Sequence, residues 1–514
     1  PYLNGGLFEL DKSDDTRFPL PSHFMKELLE FFASFNFTID ENAPDDVEIG
    51  VDPEMLGRIF ENLLEDNKEK GAFYTPKEIV QYMCRESLIA YLTTCVLKKQ
   101  GKNHKPENII RDKIRQLLSE PDKIAPKMTT EQLKDFGDYI RTVKICDPAI
   151  GSGAFPMGIL NELVRCRKIV GAWAKDSSGN MLTNNDAALK AEIICNNIYG
   201  VDIEKGAVDI ARLRFWLSIV VDEKTPQALP NFDYKFMQGN SLIPTFGGQY
   251  INLSTKTQKH INVKKMIEVK KKILELKRRF YNSSGEDKYK LNIQIKDQIL
   301  QLISLQLGYE IKVWANTHAD QLLPLYPDKN EITVKDAIRK LPEDRQHIVD
   351  LGKNLRDYLA DESVSLERRS KTDIQFFDWR MMFTEIFDVV NGDGGFDIVI
   401  GNPPYLESRN SNINEKEKDA IQQQLKQRHS EEDVLCFPRG ADLLIFFFEL
   451  SFDIASKDGI NTFITENSWL STDYGIKFQN YILRNINTLG IIDSDYKYFD
   501  SADINTIITF FEKK

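Results

Sequence analysis

Between residues 143 and 240, short apolar runs alternate with amphipathic stretches long enough to be helices, and few folds accept that rhythm. Val143-Lys144-Ile145-Cys146, Ile198-Tyr199-Gly200-Val201 and Tyr234-Lys235-Phe236-Met237 are the strand candidates. Strands separated by a helix cannot be joined by tight hairpins, so they pair in parallel through crossovers, which predicts an α/β sheet. Strand-like runs resume at residues 396–400, 460–464, 491–492 and 506–511, so residues 251–380 read as a helical insertion within one sheet domain. Inside it, Met266, Val269, Ile273, Leu276 and Phe280 follow a 3-4-3-4 spacing. After a polar turn over residues 282–287, Ile295, Ile299 and Leu302 repeat it, which predicts an antiparallel helical hairpin. There is no repeat array.

The remainder of the chain gives weaker signals. Asp52-Pro53-Glu54-Met55-Leu56 reads as a helix start, with Leu56, Ile59, Phe60, Leu63 and Leu64 on one buried face. Residues 1–65 are therefore expected to be a helical connector, followed by a first core half (66–250), the insertion (251–380) and a second core half (381–514). Another helix is expected after Tyr74-Thr75-Pro76, with Ile79, Val80, Met83 and Leu88 as its apolar positions. A polar, Lys-rich segment over 98–134 reads as a separator. The chain starts at Pro1 without an initiator Met and stops just after a strand-like run, so it is read as a piece of something longer. No apolar run reaches the roughly eighteen residues of a membrane span and no leader is visible, so a cytoplasmic protein with no membrane partner is expected.

Six cysteines (84, 95, 146, 166, 195 and 436) lie far apart without a Cys-x-x-Cys pair, and the chain has six His. The expectation is buried thiols and no metal site. The net charge of −11 argues against a surface built mainly to hold nucleic acid. Lys264, Lys265, Lys270, Lys271, Lys272, Lys277, Arg278 and Arg279 nevertheless form one basic stretch. It reads either as a solvated helix face or as a surface that tracks phosphates.

Two constellations carry chemistry. Asp147-Pro148-Ala149-Ile150-Gly151-Ser152-Gly153-Ala154-Phe155 follows a strand and precedes a helix, where glycines permit a sharp turn and a close approach of ligand to backbone. About fifty residues on, the strand at 198–201 ends in Asp202, an acid placed to accept the two hydroxyls of a ribose. A glycine turn after one strand and an acid ending the next describe one nucleoside site. The second constellation, Asn402-Pro403-Pro404-Tyr405, follows the strand at 396–400 and Gly401. Its prolines fix φ and remove backbone donors, so carbonyls and the Asn402 oxygen are available as acceptors for an amino group with two hydrogens. Holding both hydrogens favours a pyramidal nitrogen, a better nucleophile than a planar exocyclic amine. Tyr405 offers a ring for a base to stack on.

These residues resemble the motifs of amino-group DNA methyltransferases, in the gamma order with cofactor motifs before the catalytic one. The resemblance implies an α/β, Rossmann-like fold of the class I S-adenosylmethionine-dependent methyltransferases, with a seven-stranded mixed sheet. Gly71-Ala72-Phe73-Tyr74-Thr75-Pro76 is similar to the motif over the methionine part of S-adenosyl-L-methionine, and it implies contacts from Phe73, Thr75 and Pro76. Asp147, Pro148, Ala149, Gly151, Gly153 and Phe155 are similar to the motif beneath it. Asp202-Ile203 resembles the pair that binds the ribose and flanks the adenine of the cofactor. Gly239-Asn240-Ser241-Leu242 is similar to the third-strand motif, which implies contacts from Asn240 and Ser241. Asn240 departs from the acid often found there. The implied catalytic set is Asn402, Pro403, Pro404 and Tyr405.

Leu3-Asn4-Gly5-Gly6-Leu7-Phe8-Glu9, Leu56-Gly57-Arg58-Ile59-Phe60-Glu61 and Gly395-Phe396-Asp397 narrow the resemblance to the large Type IIG restriction-modification enzymes and phage-defence relatives. It implies methyl transfer to adenine N6 in double-stranded DNA, with the adenine flipped out of the stack. In such enzymes a nuclease domain, when present, lies upstream and a target-recognition domain follows, and both are expected to be missing here. Pro327-Asp328 has only Glu331 and Lys335 behind it, the wrong spacing for a nuclease. The same resemblance implies that Asp442-Leu443-Leu444-Ile445-Phe446 starts the helix behind the cofactor, that Asn467-Ser468-Trp469-Leu470 lies beside the target base, and that Phe499 is a second stacking residue. A core or loop role is open for each, and Phe446, Phe447 and Phe448 read as core. Two other functions stay open: an amine methyltransferase acting on RNA or a protein glutamine, and a non-catalytic subunit that binds cofactor or DNA.

Overall fold

The computed structural model describes residues 21–33, 75–101, 106–173, 185–223, 229–246, 249–250, 261–281, 283, 285–325, 334–340, 377–387, 394–406, 415–493 and 505–514. In chain order the principal elements begin with helices α1 (Ser22–Ala33), α2 (Lys77–Gln100), α3 (Glu107–Ser119) and α4 (Thr130–Thr142). Strand β1 (Ile145–Asp147), α5 (Ala154–Trp173), α6 (Asp186–Asn197), β2 (Ile198–Asp202), α7 (Lys205–Val220) and β3 (Phe236–Gln238) follow. Next come the short strands β4 (Thr245–Phe246) and β5 (Gln249–Tyr250), then α8 (Ile261–Tyr281) and α9 (Gly285–Thr317). The chain continues with β6 (Phe396–Gly401), α10 (Glu415–Arg428), α11 (Leu443–Ile454), β7 (Ala455–Glu466), α12 (Asp473–Asn485), β8 (Ile486–Asp493) and β9 (Thr506–Lys513). The helix proposed from Asp52 and the motif at residues 3–9 lie outside the described residues.

The chain divides into two units, Pro1–Gln238 with Gly395–Asn412 and Leu435–Lys514, and Gly239–Gly394 with Ile413–Val434. The first contains the seven-stranded mixed sheet, in the order β3-β2-β1-β6-β7-β9-β8. Strands β3, β2, β1, β6 and β7 are parallel, and β9 runs antiparallel to both of its neighbours. Strands step outward from β1 to β3 on one side and from β6 to β7 on the other, where β9 lies between β7 and the edge strand β8. The order therefore reverses between β1 and β6, and loops leaving the carboxyl ends of those two strands diverge around a crevice. This is the class I methyltransferase arrangement.

Alternation along the strands assigns each face. Ile398, Ile400, Ile460, Ile464, Ile508 and Phe510 share one core with α2, α3, α4, α5 and α6, and Ser87 on α2 donates to Thr462 at 2.8 Å across that face. On the other face, Phe448 of α11 packs against Phe463, Trp469, Phe478 and Phe511 at centroid separations of 5.2–6.0 Å. Phe446, Phe447 and Phe448 are all buried, as core residues should be. Asn197 fastens the end of α6 by donating to the carbonyls of Ile140, Arg141 and Val143.

The register of β6 against β1 depends on a residue that the sequence reading placed only in a motif. Asp397 donates its backbone N–H to the Lys144 carbonyl at 2.7 Å and accepts the Lys144 N–H on its carboxylate at 2.8 Å. The segment over 98–134 is more than a separator. It contains α3, whose Ile110, Ile114, Leu117 and Leu118 are buried. Their i, i+4, i+7, i+8 spacing is helical, but charged residues on the opposite face dominate the composition.

In the second unit, α8 and α9 pack on each other, and Met266, Val269, Ile273, Leu276, Phe280, Ile295, Ile299 and Leu302 along them are all buried. One member of the basic stretch is interior. Lys277 is 1% exposed, donates to the Met382 carbonyl and faces Glu385 at 3.6 Å. Burial lowers its pKa, which Glu385 opposes.

Candidate active site

The two motif loops of the first unit leave adjacent parallel strands. β1 ends at Asp147, and β6, hydrogen-bonded beside it, ends at Gly401. A Cβ on Gly401 would sit 2.6 Å from Asp147 Oδ1, so the absence of a side chain at 401 lets the two strand ends close up. The loops 148–153 and 402–405 therefore start side by side at the reversal of strand order.

The first loop is tied to β2. Ile150 N donates to the Val201 carbonyl at 2.9 Å, and Gly151 N donates to Asp202 Oδ2 at 2.8 Å. Gly151 and Gly153 have φ of 52° and 91°, which side chains strongly disfavour. Gly153 also lies against α7, where an added Cβ would be 3.1 Å from Ala211 Cβ. Asp147 Oδ1 accepts from Ala149 N at 3.0 Å. Below the loop, buried Arg214 of α7 donates to the Ser152 carbonyl at 3.0 Å. Sequence reasoning missed Arg214, whose only signal is a charge in an otherwise buried helix face.

Asp202 accepts on both oxygens, from Gly151 N and from Glu204 N at 2.9 Å. A carboxylate has about four lone-pair positions, so each oxygen retains capacity for one more donor. Ile203 beside it is 61% exposed, an uncovered apolar surface at the strand end. Burial pushes the Asp147 carboxyl well above its ordinary range, and the neighbouring charge of Asp202 adds to that. Burial also raises Asp202, against the backbone donors of Glu204, Gly151 and Ile203 that lower it.

At the second loop, Asn402 Nδ2 donates to Thr75 Oγ1 at 3.1 Å. That bond fixes the carboxamide, since its oxygen must then diverge from Thr75 by roughly the 120° between substituents of an sp² carbon. Thr75 is buried, and Pro76 caps the start of α2, its carbonyl accepting from Ile79 N and Val80 N. Pro403 is buried and Pro404 half-buried. Tyr405 is 7% exposed and belongs to the core formed with α2, and burial holds its phenol well above the usual value. The Leu406 carbonyl accepts from Leu443 N at 3.2 Å, so the end of the loop is hydrogen-bonded to the start of α11.

Asp442 precedes α11 and accepts a hydrogen bond from Tyr474, whose hydroxyl also lies 3.3 Å from Ser468. Burial, followed by that bond to Asp442, pushes the Tyr474 phenol up to about 12. Ser468–Leu470 forms a helical turn after β7, with Trp469 buried in the aromatic core. Phe155 is likewise in the core, at the first turn of α5. Asn240 and Ser241 lie in the second unit, where Asn240 Oδ1 accepts from Leu242 N and Ile243 N and the Ser241 carbonyl accepts from Trp379. Phe73 and Phe499 fall outside the described residues. Among the described residues, no three His, Cys, Asp or Glu side chains converge as a metal site would require, and no helix is long and apolar enough to cross a membrane.

The chain is 25% identical over 539 residues to RM.MjaORFECS2P of Methanocaldococcus jannaschii, whose name describes a type II restriction enzyme and methyltransferase. That match covers all of this chain and 42% of the relative, so the chain spans less than half the relative's length. Among solved structures it is similar to the Type IIL restriction-modification enzyme MmeI in complex with DNA, at 11% identity and a TM-score of 0.41, over 90% of this chain and 40% of that one. It is also similar to the M protein of the Type I restriction enzyme EcoKI, at 10% identity and a TM-score of 0.30, over 96% and 62% of the two chains. Residues 196–499, more than half of the chain and including both Asp202 and the Asn402 loop, match the Eco57I restriction-modification methylase family, and the chain belongs to it.

Proposed function

We propose that the first unit transfers a methyl group from S-adenosyl-L-methionine to the N6 amine of adenine in double-stranded DNA. The observation that carries this reading is the Asn402–Thr75 bond, which turns a carboxamide oxygen into an oriented acceptor at the mouth of the β1/β6 crevice. The residues present fit the cofactor. Gly151 and Gly153 have left-handed backbone at the end of β1, Asp202 has acceptor capacity for ribose hydroxyls, and exposed Ile203 offers an apolar face to a purine. When bound, S-adenosyl-L-methionine supplies an electrophilic methyl on a sulfonium.

The chain's own task is then positional. Asn402 Oδ1 and the Pro403 carbonyl accept the two hydrogens of the target amine, which draws its lone pair out of conjugation with the ring. An adenine in a duplex has that amine in its base pair, so the base must leave the stack to reach Asn402. Tyr405 is the aromatic group nearest in sequence to stack on the base, and its present burial means that the ring presents an edge or a single face. Orientation and fixed dipoles supply the rate here, with no strong base required.

Asn402→Ala tests the reading. Removal of one preorganised polar contact to the reacting group costs on the order of a hundredfold or more in turnover. Methyl transfer to DNA should fall by at least that factor, while cofactor affinity, read by calorimetry, stays within about twofold. A variant as active as the parent excludes Asn402 from the chemistry.

A further inference from the structure

The basic stretch of α8 is not absorbed by methyl transfer, and its side chains separate into two groups. Lys277 is interior, and Lys270 is half-buried, its pKa lowered by burial against the pull of Asp378. The other six, Lys264, Lys265, Lys271, Lys272, Arg278 and Arg279, are all exposed. They repeat as adjacent pairs every seven residues, so the pairs lie on one solvent face at intervals of about 10.5 Å along the helix axis. The face opposite is the apolar seam with α9.

None of the six makes an ion pair among the described residues, although exposed Glu268 and Glu275 lie between the pairs on the same helix. The helix carries eight Lys and Arg against two Glu, in a chain whose net charge is −11. A face of that sign in an acidic protein is a local exception, and uncompensated like charges along one helix face disfavour it unless a polyanion is bound. B-DNA rises about 3.4 Å per base pair on each strand, so three cationic pairs over about 21 Å span roughly six base pairs of backbone.

We infer that the exposed face of α8 binds the phosphate backbone of duplex DNA without reading sequence. The inference rests on the reading that this protein acts on DNA, and it adds a second contact surface in the unit that holds no motif residue of the first loop pair. Long Lys and Arg side chains reach adjacent phosphates as point charges or forks, and each phosphate neutralised releases counterions.

Salt dependence tests it. Binding to a duplex of about 30 base pairs is followed by fluorescence anisotropy between roughly 50 and 300 mM salt, for the parent and for a variant in which all six residues become Gln. Gln keeps helix propensity and Lys277 is untouched, so circular dichroism and cofactor binding should be unchanged. Each lost phosphate contact lowers the slope of log K against log salt by about 0.9. The slope should fall by about two or more, with affinity near 100 mM salt dropping tenfold or more, and a variant with only Lys264, Lys271 and Arg278 changed should lose about half as much. A fall of less than about two in the sextuple variant, with the parent still methylating DNA, overturns the inference alone. A loss confined to single-stranded RNA also overturns it. A parent that neither binds nor methylates duplex DNA overturns this inference together with the reading beneath it.

Discussion

Asp147 stands at the end of β1 with its carboxyl buried against the loop it precedes and within the field of Asp202. Burial and that neighbouring charge raise its folded pKa above the unfolded value, so the native state holds the proton more tightly than the unfolded chain. The stabilising contribution is therefore complete below the ordinary carboxyl range, near pH 4, and is lost as pH rises through the folded pKa. Asp147→Asn keeps the acceptor for Ala149 N and removes the ionisation. Its melting temperature should exceed the parent's at pH 8, and the two should converge toward pH 4. A variant less stable than the parent at pH 8 would mean that the ionised carboxylate has a stabilising partner. The turn geometry of the Asp147 to Phe155 motif was legible in its glycines, two of which have positive φ, whereas the burial of Phe155 in the core it shares with α2 was not, since a first-turn aromatic reads the same whether it packs inward or lines a loop.

At the scale of elements, alternation and heptad spacing gave the sheet and the α8–α9 pair. Each expected strand is present; β1 and β3 are one residue shorter than their apolar runs and the others one to seven residues longer, because strands such as β7 and β8 continue into polar residues that still pair. Helix α3 escaped because its four apolar positions are diluted by charge, and the role of Asp397 escaped because a side chain bonding to a neighbouring strand leaves no periodic trace. The hairpin makes a quantitative prediction. Ile273 is fully buried at its seam, and Ile273→Ala leaves a cavity that costs about 2–5 kcal/mol. Chemical denaturation should show that loss, and a change below about 1 kcal/mol would mean that the seam closes over the gap or is not packed as described.

For the whole molecule, the six cysteines form no disulfide; four are buried as their spacing led one to expect, while Cys95 and Cys195 are only partly so. Burial pushes Cys95 and Cys195 up to about 11 and Cys166 up to about 12, and raises Cys84 and Cys146 well above the ordinary thiol range. The thiolate is the reactive species, so at pH 8 a thiol reagent should modify these groups slowly in the native protein and rapidly once it is unfolded. Rapid stoichiometric labelling of any of the five in the native state would contradict their placement. The two-unit division was only partly visible in sequence: residues 413–434 belong with the hairpin unit although they follow the Asn402 loop of the first unit, and a return of the chain to an earlier unit has no local signature.

The central claim is that the loop carrying Asn402 delivers an adenine amine for methylation, and the identity of the modified base tests it most directly. The protein is incubated with S-adenosyl-L-methionine labelled in its methyl group and unmethylated duplex DNA, the DNA is digested to nucleosides, and the label is located by mass spectrometry. The account predicts label on N6-methyladenosine of the deoxy series and on no other nucleoside. Label on a methylated cytosine, or label on RNA or protein with none on DNA, would contradict it.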